Sequence, residues 1–282
     1  MNWGSNVPIP LSTTRRITRA PDTGDGCWQT GSMPSTETDG QLATRLATQA
    51  GYLLLELREK MFAEGASTWD VKDAGDAAAQ RFLAQEFATH RPHDAVLSEE
   101  GREDPRRFGA DRVWIVDPLD GTREFGEPGR IDWAVHIALW TGDGFGAAAV
   151  SLPAVGRTFT TDDPTPMPPF ERERPILVTS RTRAPYAAVL VVEGLDCDAV
   201  RLGSAGAKAM SVVMGETDIY VHDGGMYQWD SAAPAGVALA SGFHVSRLDG
   251  SPIVYNARDP WLPDFIVCRP ELAEPVLRAL WG

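Results

Sequence analysis

The sequence predicts a layered domain of the α/β or α+β class, and three observations predict it. Long amphipathic helical patterns open the periodic part of the chain, short apolar runs with strand character follow, and the two kinds of segment then alternate without a strict βα repeat. No internal repeat is visible. With 282 residues, 43% of them hydrophobic, the chain can bury a large core as one compact unit or two closely fused halves.

Residues 1–36 are rich in Ser, Thr, Pro and Gly and lack apolar periodicity, so a disordered extension is expected there. Arg15, Arg16 and Arg19 hint at a targeting peptide, but Asp22 and Asp25 interrupt it, and Met33 is an alternative start. The domain proper is expected over 37–282, with an N-terminal half at 37–163 and a C-terminal half at 175–282. Apolar residues at Leu42, Leu46, Ala50, Leu53, Leu54, Leu57 and Met61 predict a helix over 41–61. A second helix over 76–88 would turn Ala79, Phe82, Leu83 and Phe87 inward. The runs 95–97 and 113–116 read as buried strands, and each ends in acids. Residues 131–140 and 146–152 read as further strands, with Trp133 and Trp140 in the core, and the Pro-rich 164–175 segment is a loop between the halves. Strands at 176–179, 199–202 and 219–222 then alternate with helices at 186–193, 207–214, after Trp229, and at 272–280.

A formal net charge of −13 and a pI near 4.8 argue against a nucleic-acid or anionic-membrane surface, so any anionic ligand must be met by metal ions or local cations. Lysines occur only at Lys60, Lys72 and Lys208, which makes each informative. Cys27, Cys197 and Cys268 lie far apart with no metal-binding spacing and read as thiols in a reducing cytosol. No apolar run approaches the roughly 18 to 20 residues that span a bilayer. A soluble cytoplasmic protein is expected.

The chemistry concentrates in acids. In Val116-Asp117-Pro118-Leu119-Asp120-Gly121-Thr122 a buried strand runs out into two carboxylates three residues apart, and Pro118 is expected to end the strand and fix a turn. That turn can aim Asp117, Asp120 and the Leu119 carbonyl at one point, a hard-oxygen set suited to Mg²⁺. If Gly121 and Thr122 open a helix, their amides can hold a phosphate oxygen. Asp-Gly is also a common turn dipeptide, with Asp120 a simple N-cap. The DxxD spacing disfavours a DxDxT aspartyl-phosphate mechanism, because the second acid would face the wrong way along a strand. Ser98-Glu99-Glu100 ends the preceding strand, and Trp229-Asp230-Ser231-Ala232-Ala233-Pro234 places a third acid before a small-residue helix. Singly, these read as a charged turn and an N-cap. Together they resemble what two-metal hydrolysis requires, several acids brought from separate elements to one point.

In order and at compatible separations, Leu97-Ser-Glu-Glu100, Asp117-Pro-Leu-Asp-Gly-Thr122 and Trp229-Asp-Ser-Ala-Ala-Pro234 closely resemble the inositol monophosphatase superfamily over roughly residues 41–275. The resemblance implies an αβαβα sandwich of the inositol monophosphatase/fructose-1,6-bisphosphatase type, lithium sensitivity, hydrolysis by metal-activated water, and a homodimer. It implies Mg²⁺ held by Glu99, Asp117 and the Leu119 carbonyl, a second ion among Asp117, Asp120 and Asp230, and a third, weaker ion near Glu99. Gly121 and Thr122 amides would hold phosphate. The Thr122 hydroxyl would orient water together with an acid from a mobile 70–76 segment, best matched by Asp76. Many relatives carry Thr-x-Ala-Asp where this chain has Asp73-Ala-Gly-Asp76, so Asp73 competes for that role.

Asp120-Gly-Thr-Arg-Glu-Phe125, the run from Leu248-Asp-Gly-Ser-Pro to Tyr255-Asn-Ala-Arg-Asp, and Leu262-Pro-Asp-Phe265 resemble the subgroup hydrolysing 3′-phosphoadenosine 5′-phosphate (PAP), the bacterial CysQ type. That resemblance implies release of the 3′-phosphate to give AMP in sulfate assimilation, with 3′-phosphoadenosine 5′-phosphosulfate as a further substrate. It also implies that Lys208 meets the phosphate that is not cleaved and that Ser204 and its small neighbours approach the nucleoside. A lone helical lysine is otherwise a surface charge, and Gly and Ala there equally suit helix packing. His222 and Tyr227 sit near the expected entrance, where a satisfied structural histidine is the more frequent outcome, and Arg102, Arg106 and Arg107 are candidates to guide an anion or equally the charges of a solvated flap. Inositol monophosphate and fructose bisphosphate are the alternative substrates, and a catalytically silent nucleotide or metal binder is the reading from another class.

Overall fold

The computed structural model describes residues 37–282, so the extension expected over 1–36, with Cys27 and Met33, lies outside the described residues. Thr38 caps helix α1 (Asp39–Ala63) reciprocally with Gln41. Helix α2 (Thr68–His90) begins eight residues before the expected start, because Ser67 accepts the Asp70 amide as its N-cap. The 70–76 segment expected to supply the water-orienting acid therefore lies within this helix.

Strands β1 (Ala95–Ser98), β2 (Val113–Asp120), β3 (Ala134–Trp140), β4 (Phe145–Leu152) and β5 (Arg157–Thr160) form one sheet in that order. Only the β1–β2 pair is parallel. After the 164–175 loop, β6 (Ile176–Ser180), β7 (Asp198–Leu202), β8 (Ile219–Tyr227), β9 (His244–Ser246) and β10 (Trp261–Cys268) form a second sheet, ordered β7-β6-β8-β10-β9. Helix α3 (Thr122–Phe125) is one short turn; α4 (Tyr186–Leu195), α5 (Ala205–Val213), α6 (Gln228–Ala240) and α7 (Pro270–Trp281) complete the chain.

Period-two alternation sorts the strand residues into layers. Trp114, Val116, Val135, Ile137, Leu139, Ala147 and Ala149 pack with α1 and α2 on one side of the first sheet. Val113, Ile115, Ala134, Ala138, Ala148 and Val150 face the opposite way, onto α5 and α6. The second sheet meets those same helices through Val178, Tyr220, Phe265 and Val267, and turns Leu177, Ile219, Val221 and Ile266 toward α4 and α7. The layers are thus α1/α2, sheet, α5/α6, sheet, α4/α7, an αβαβα sandwich. Trp133 and Trp140 are buried as expected. No described helix is long and apolar enough to cross a membrane.

Three strands escaped the sequence reading. β5 and β9 are only four and three residues long, and β10 contains Pro263, which it accommodates at a register shift between Leu262 and Asp264.

Candidate active site

β2 does not stop at Pro118 as expected. The strand continues to Asp120 through a register shift against β3 between Asp117 and Asp120, and the irregularity spares Pro118 a ladder hydrogen bond it cannot donate. Alternation puts Asp117 on the face of Val113 and Ile115, toward the middle helices, and it is fully buried. Its Oδ1 accepts the Leu119 amide at 3.0 Å, while its Oδ2 is buried with no hydrogen-bond partner. Beyond the strand Gly121 adopts φ 84°, where a side chain would be strained and its Cβ would sit 3.0 Å from that of Ser204. That turn starts α3.

Asp230 lies in the first turn of α6 rather than before it, and its Oδ2 accepts the Tyr227 amide at 2.6 Å. Asp117, Asp120 and Asp230, from β2 and α6, offer ligand oxygens all within 4.8 Å of one another. Burial, then the charges of Asp120, Glu99 and Asp230, pushes the Asp117 carboxyl well above its ordinary pKa. Burial and Asp120 raise Asp230 to about 6. Glu99 stands at the rim and is exposed as a residue, yet loss of hydration and the charges of Asp230 and Asp120 raise it to about 7. Crowded, desolvated carboxylates with an orphaned oxygen at their centre form a donor set that fits a divalent cation, whose charge would relieve the repulsion.

Asp120 differs. Burial alone would raise its pKa, but the neighbouring His136 ring and hydrogen bonds from Ser204 and Gly206 outweigh burial and hold it at about 2. Its carboxylate sits at the N-terminus of α5, accepting Ser204 Oγ at 2.5 Å, the Gly206 amide at 2.7 Å and the Ala205 amide at 3.2 Å. Ser204 Oγ in turn accepts the Ala207 amide at 2.9 Å as the N-cap of α5.

Lys208 is not a surface charge: it is 4% exposed, and its ammonium donates to the Gly203 and Ser204 carbonyls beneath the same loop. It also stands over the Tyr220 ring, 5.3 Å from the centroid. Burial lowers its pKa, opposed by Asp120 and Glu124.

Thr122 Oγ1 lies 3.2 Å from Asp76 Oδ1 and 3.1 Å from the Leu119 carbonyl. Asp76 reaches this contact from within α2, and Asp73 does not make it. Burial and the Glu100 charge raise Asp76 to about 6, opposed by the Thr122 hydrogen bond.

The inositol monophosphatase family model matches residues 37–282, all of the described chain. The chain belongs to the inositol monophosphatase family. That family is metal-dependent, consistent with the acidic cluster, and the protein is a phosphatase of this superfamily. A 3′-phosphoadenosine 5′-phosphate phosphatase of Mycobacterium leprae is 48% identical over 263 residues, covering 86% of this chain and 95% of the relative. The protein of that name from Mycobacterium bovis is 48% identical over 243 residues, 82% and 89% of the two chains. The 3′(2′),5′-bisphosphate nucleotidase CysQ of Escherichia coli K12 is 29% identical over 210 residues, 69% and 83%. Among solved structures, inositol monophosphatase II from Staphylococcus aureus superposes with a TM-score of 0.69 at 20% identity, covering 85% of this chain and 95% of that one. The suhB protein from Bartonella henselae gives 0.67 at 22%, covering 86% and 98%. These two likenesses establish the fold.

Within this family site, one residue that sequence reasoning missed is His136 of β3. It is fully buried, its Nε2 is 3.2 Å from Asp120 Oδ2, and its Nδ1 is 3.2 Å from the Trp229 carbonyl. The signal was a single ionisable residue inside an otherwise apolar strand. Other candidates resolve structurally. Arg107 is fully buried and ties the loop after Glu99 to the Asn256, Ala257 and Arg258 segment, while Arg106 pairs with Asp104. His222 Nε2 pairs with the Gly225 carbonyl at 2.9 Å.

Proposed function

We propose that the protein is a Mg²⁺-dependent phosphomonoesterase that hydrolyses the 3′-phosphate of PAP to AMP and phosphate. The observation that carries the chemistry is the buried, partnerless Oδ2 of Asp117 at the centre of three converging carboxylates. The substrate rests on relatives 48% identical over most of the chain that bear that activity in their names.

In this reading Glu99, Asp117, the Leu119 carbonyl, Asp120 and Asp230 hold two Mg²⁺ ions, with a third weaker ion near Glu99. Bound Mg²⁺ would supply charge neutralisation at the phosphate and make water more acidic. The Gly121 and Thr122 amides hold a phosphate oxygen. Thr122 Oγ1, already donating to the Leu119 carbonyl or to Asp76, orients the attacking water, and Asp76 accepts its proton. A carboxyl raised to about 6 by burial suits that exchange near neutral pH. The oxygen of water forms the new bond to phosphorus as the bond to the ribose 3′-oxygen breaks, and that oxygen takes up a proton from solvent to leave as the 3′-hydroxyl of AMP.

Lys208 acts here through the loop it holds: by fixing the Gly203 and Ser204 carbonyls it sets Ser204 beside Asp120, and its charge offsets the acids around it. The reading also includes a homodimer, a cytoplasmic setting in keeping with the free thiols of Cys197 and Cys268, and one phosphatase domain whose halves are the two sheets.

Side-by-side kcat/KM values with Mg²⁺ for PAP, 3′-phosphoadenosine 5′-phosphosulfate, inositol 1-phosphate and fructose 1,6-bisphosphate test the assignment. PAP is expected to lead the panel. If it ranks below the sugar phosphates the substrate assignment fails, and if no ester turns over the catalytic reading fails.

A further inference from the structure

The rim of the site carries an aromatic corner that the metal chemistry does not use. Tyr227 and Trp261 are large aromatics left 43% and 45% exposed, and they face each other as register partners of β8 and β10. Tyr227 stacks on Trp229, with centroids 4.6 Å apart and planes 12° apart, so one of its faces is supported from behind. Trp261 meets Tyr227 edge to face, 5.5 Å away at 82°. The two rings make an L-shaped notch.

The notch is built. Trp261 lies flat across Gly225, whose φ of 89° and missing side chain are both required, because a Cβ there would fall 1.6 Å from the indole. Asp259 Oδ1 accepts the Trp261 amide at 3.1 Å and fixes the start of β10. The notch is also tied to the chemistry, since the Tyr227 amide donates to the Asp230 carboxylate and Trp229 is the neighbour of that acid. An isolated exposed aromatic needs no explanation, whereas two joined and braced rings one turn from a phosphate-cleaving centre do.

We propose that Tyr227 and Trp261 are specificity residues that stack the purine base of the substrate. The proposal rests on the nucleotide reading of the preceding subsection. Flat π-systems gain from such stacking, a preference that a sugar phosphate without a base cannot claim in full. Tyr227 adds rigid contact area at little entropic cost, being already pinned by Trp229.

The test compares PAP with glycerol 2-phosphate, an ester without a base, and measures AMP binding by calorimetry. Trp261→Ala and Tyr227→Ala should each raise KM for PAP about tenfold more than KM for glycerol 2-phosphate, and weaken AMP about tenfold. Trp261→Phe and Tyr227→Phe should restore most of the loss, and Tyr52→Ala, an exposed aromatic on α1, should behave as the unmodified protein. Equal changes for both esters, or unchanged AMP affinity, overturn the proposal. So does dissociation of an oligomer by Trp261→Ala with PAP kinetics intact, which would make the corner a contact between copies. Failure of the nucleotide reading shows separately, as poor PAP turnover before any substitution is made.

Discussion

His136 Nδ1 lies 3.2 Å from the carbonyl oxygen of Trp229, the residue before Asp230. A carbonyl only accepts, so Nδ1 carries the hydrogen and donates, which orients the ring and turns Nε2 toward Asp120. One buried side chain on β3 thereby connects the β2 carboxylates to the α6 carboxylate. Replacing it with Ala should let the first turn of α6 drift. We expect His136→Ala to weaken Mg²⁺ binding by about 10–100-fold, as loss of an orienting partner does at metal sites. His136→Asn should recover part of this if its amide reaches the same carbonyl. Calorimetric Mg²⁺ titration of folded variants is the measurement, and unaltered affinity in His136→Ala would remove the imidazole from the positioning role.

Asp117 offers a sharper separation of stability from activity. Its Oδ2 is buried without a partner among neighbouring acids, so in the metal-free protein its charge is a liability. Asp117→Asn should raise Tm in EDTA, by about 2–4 °C for each kcal/mol recovered in a chain of this size. The same variant should lose the Tm gain that Mg²⁺ gives the unmodified protein, and kcat/KM should fall by more than about 100-fold, exceeding the loss typical of groups that only orient a ligand. A variant that loses Tm in EDTA yet keeps its Mg²⁺ response would contradict the assignment.

Thr122 and Asp76 act as a pair in the proposed chemistry and should fail as one. Thr122→Ala and Asp76→Asn should each lower kcat by about 10²–10⁴-fold with KM changed far less, and the double variant should be little worse than either. Asp73→Asn, one turn away on α2 and outside the contact, is expected within a few-fold of the unmodified enzyme. Steady-state kinetics at saturating Mg²⁺ decide, and a large Asp73→Asn defect would transfer the role.

The layered architecture and the acid triad were legible because both are written locally, in helical periodicity and in short motifs at strand ends. Other features were not, each for a physical reason. Pro118 reads as a strand terminator, but a register shift placed at Asp117–Asp120 removes the hydrogen bond that proline would have broken. The early start of α2 was present as Ser67 three residues before Asp70, a cap that precedes the apolar stripe and so escapes a search by periodicity. Lys208 and His136 depend on tertiary contact alone: nothing local tells a buried lysine over Tyr220, or a histidine reaching Trp229, from a solvated or merely satisfied one. β10 was noticed for its motif and missed as a strand, because Pro263 breaks the expected pattern at the point where the sheet is irregular.

Glu216 provides a test of folding electrostatics away from the site. It follows α5, its Oε2 is buried without a partner, and burial raises its pKa from 4.5 to about 7 against a weak opposing pull from Arg157. Below pH 4.5 the carboxyl is neutral in folded and unfolded chains alike and imposes no penalty. Between 4.5 and about 7 the unfolded chain releases a proton that the native state retains, so stability falls as pH rises and levels off above the folded value. Glu216→Gln removes that slope. The Tm difference between variant and unmodified protein should be near zero at pH 4.5 and clearly positive at pH 8, measured by thermal denaturation at fixed ionic strength. An equal difference at both values would mean that Glu216 stays ionised in the native state, its charge met by solvent or by Arg157.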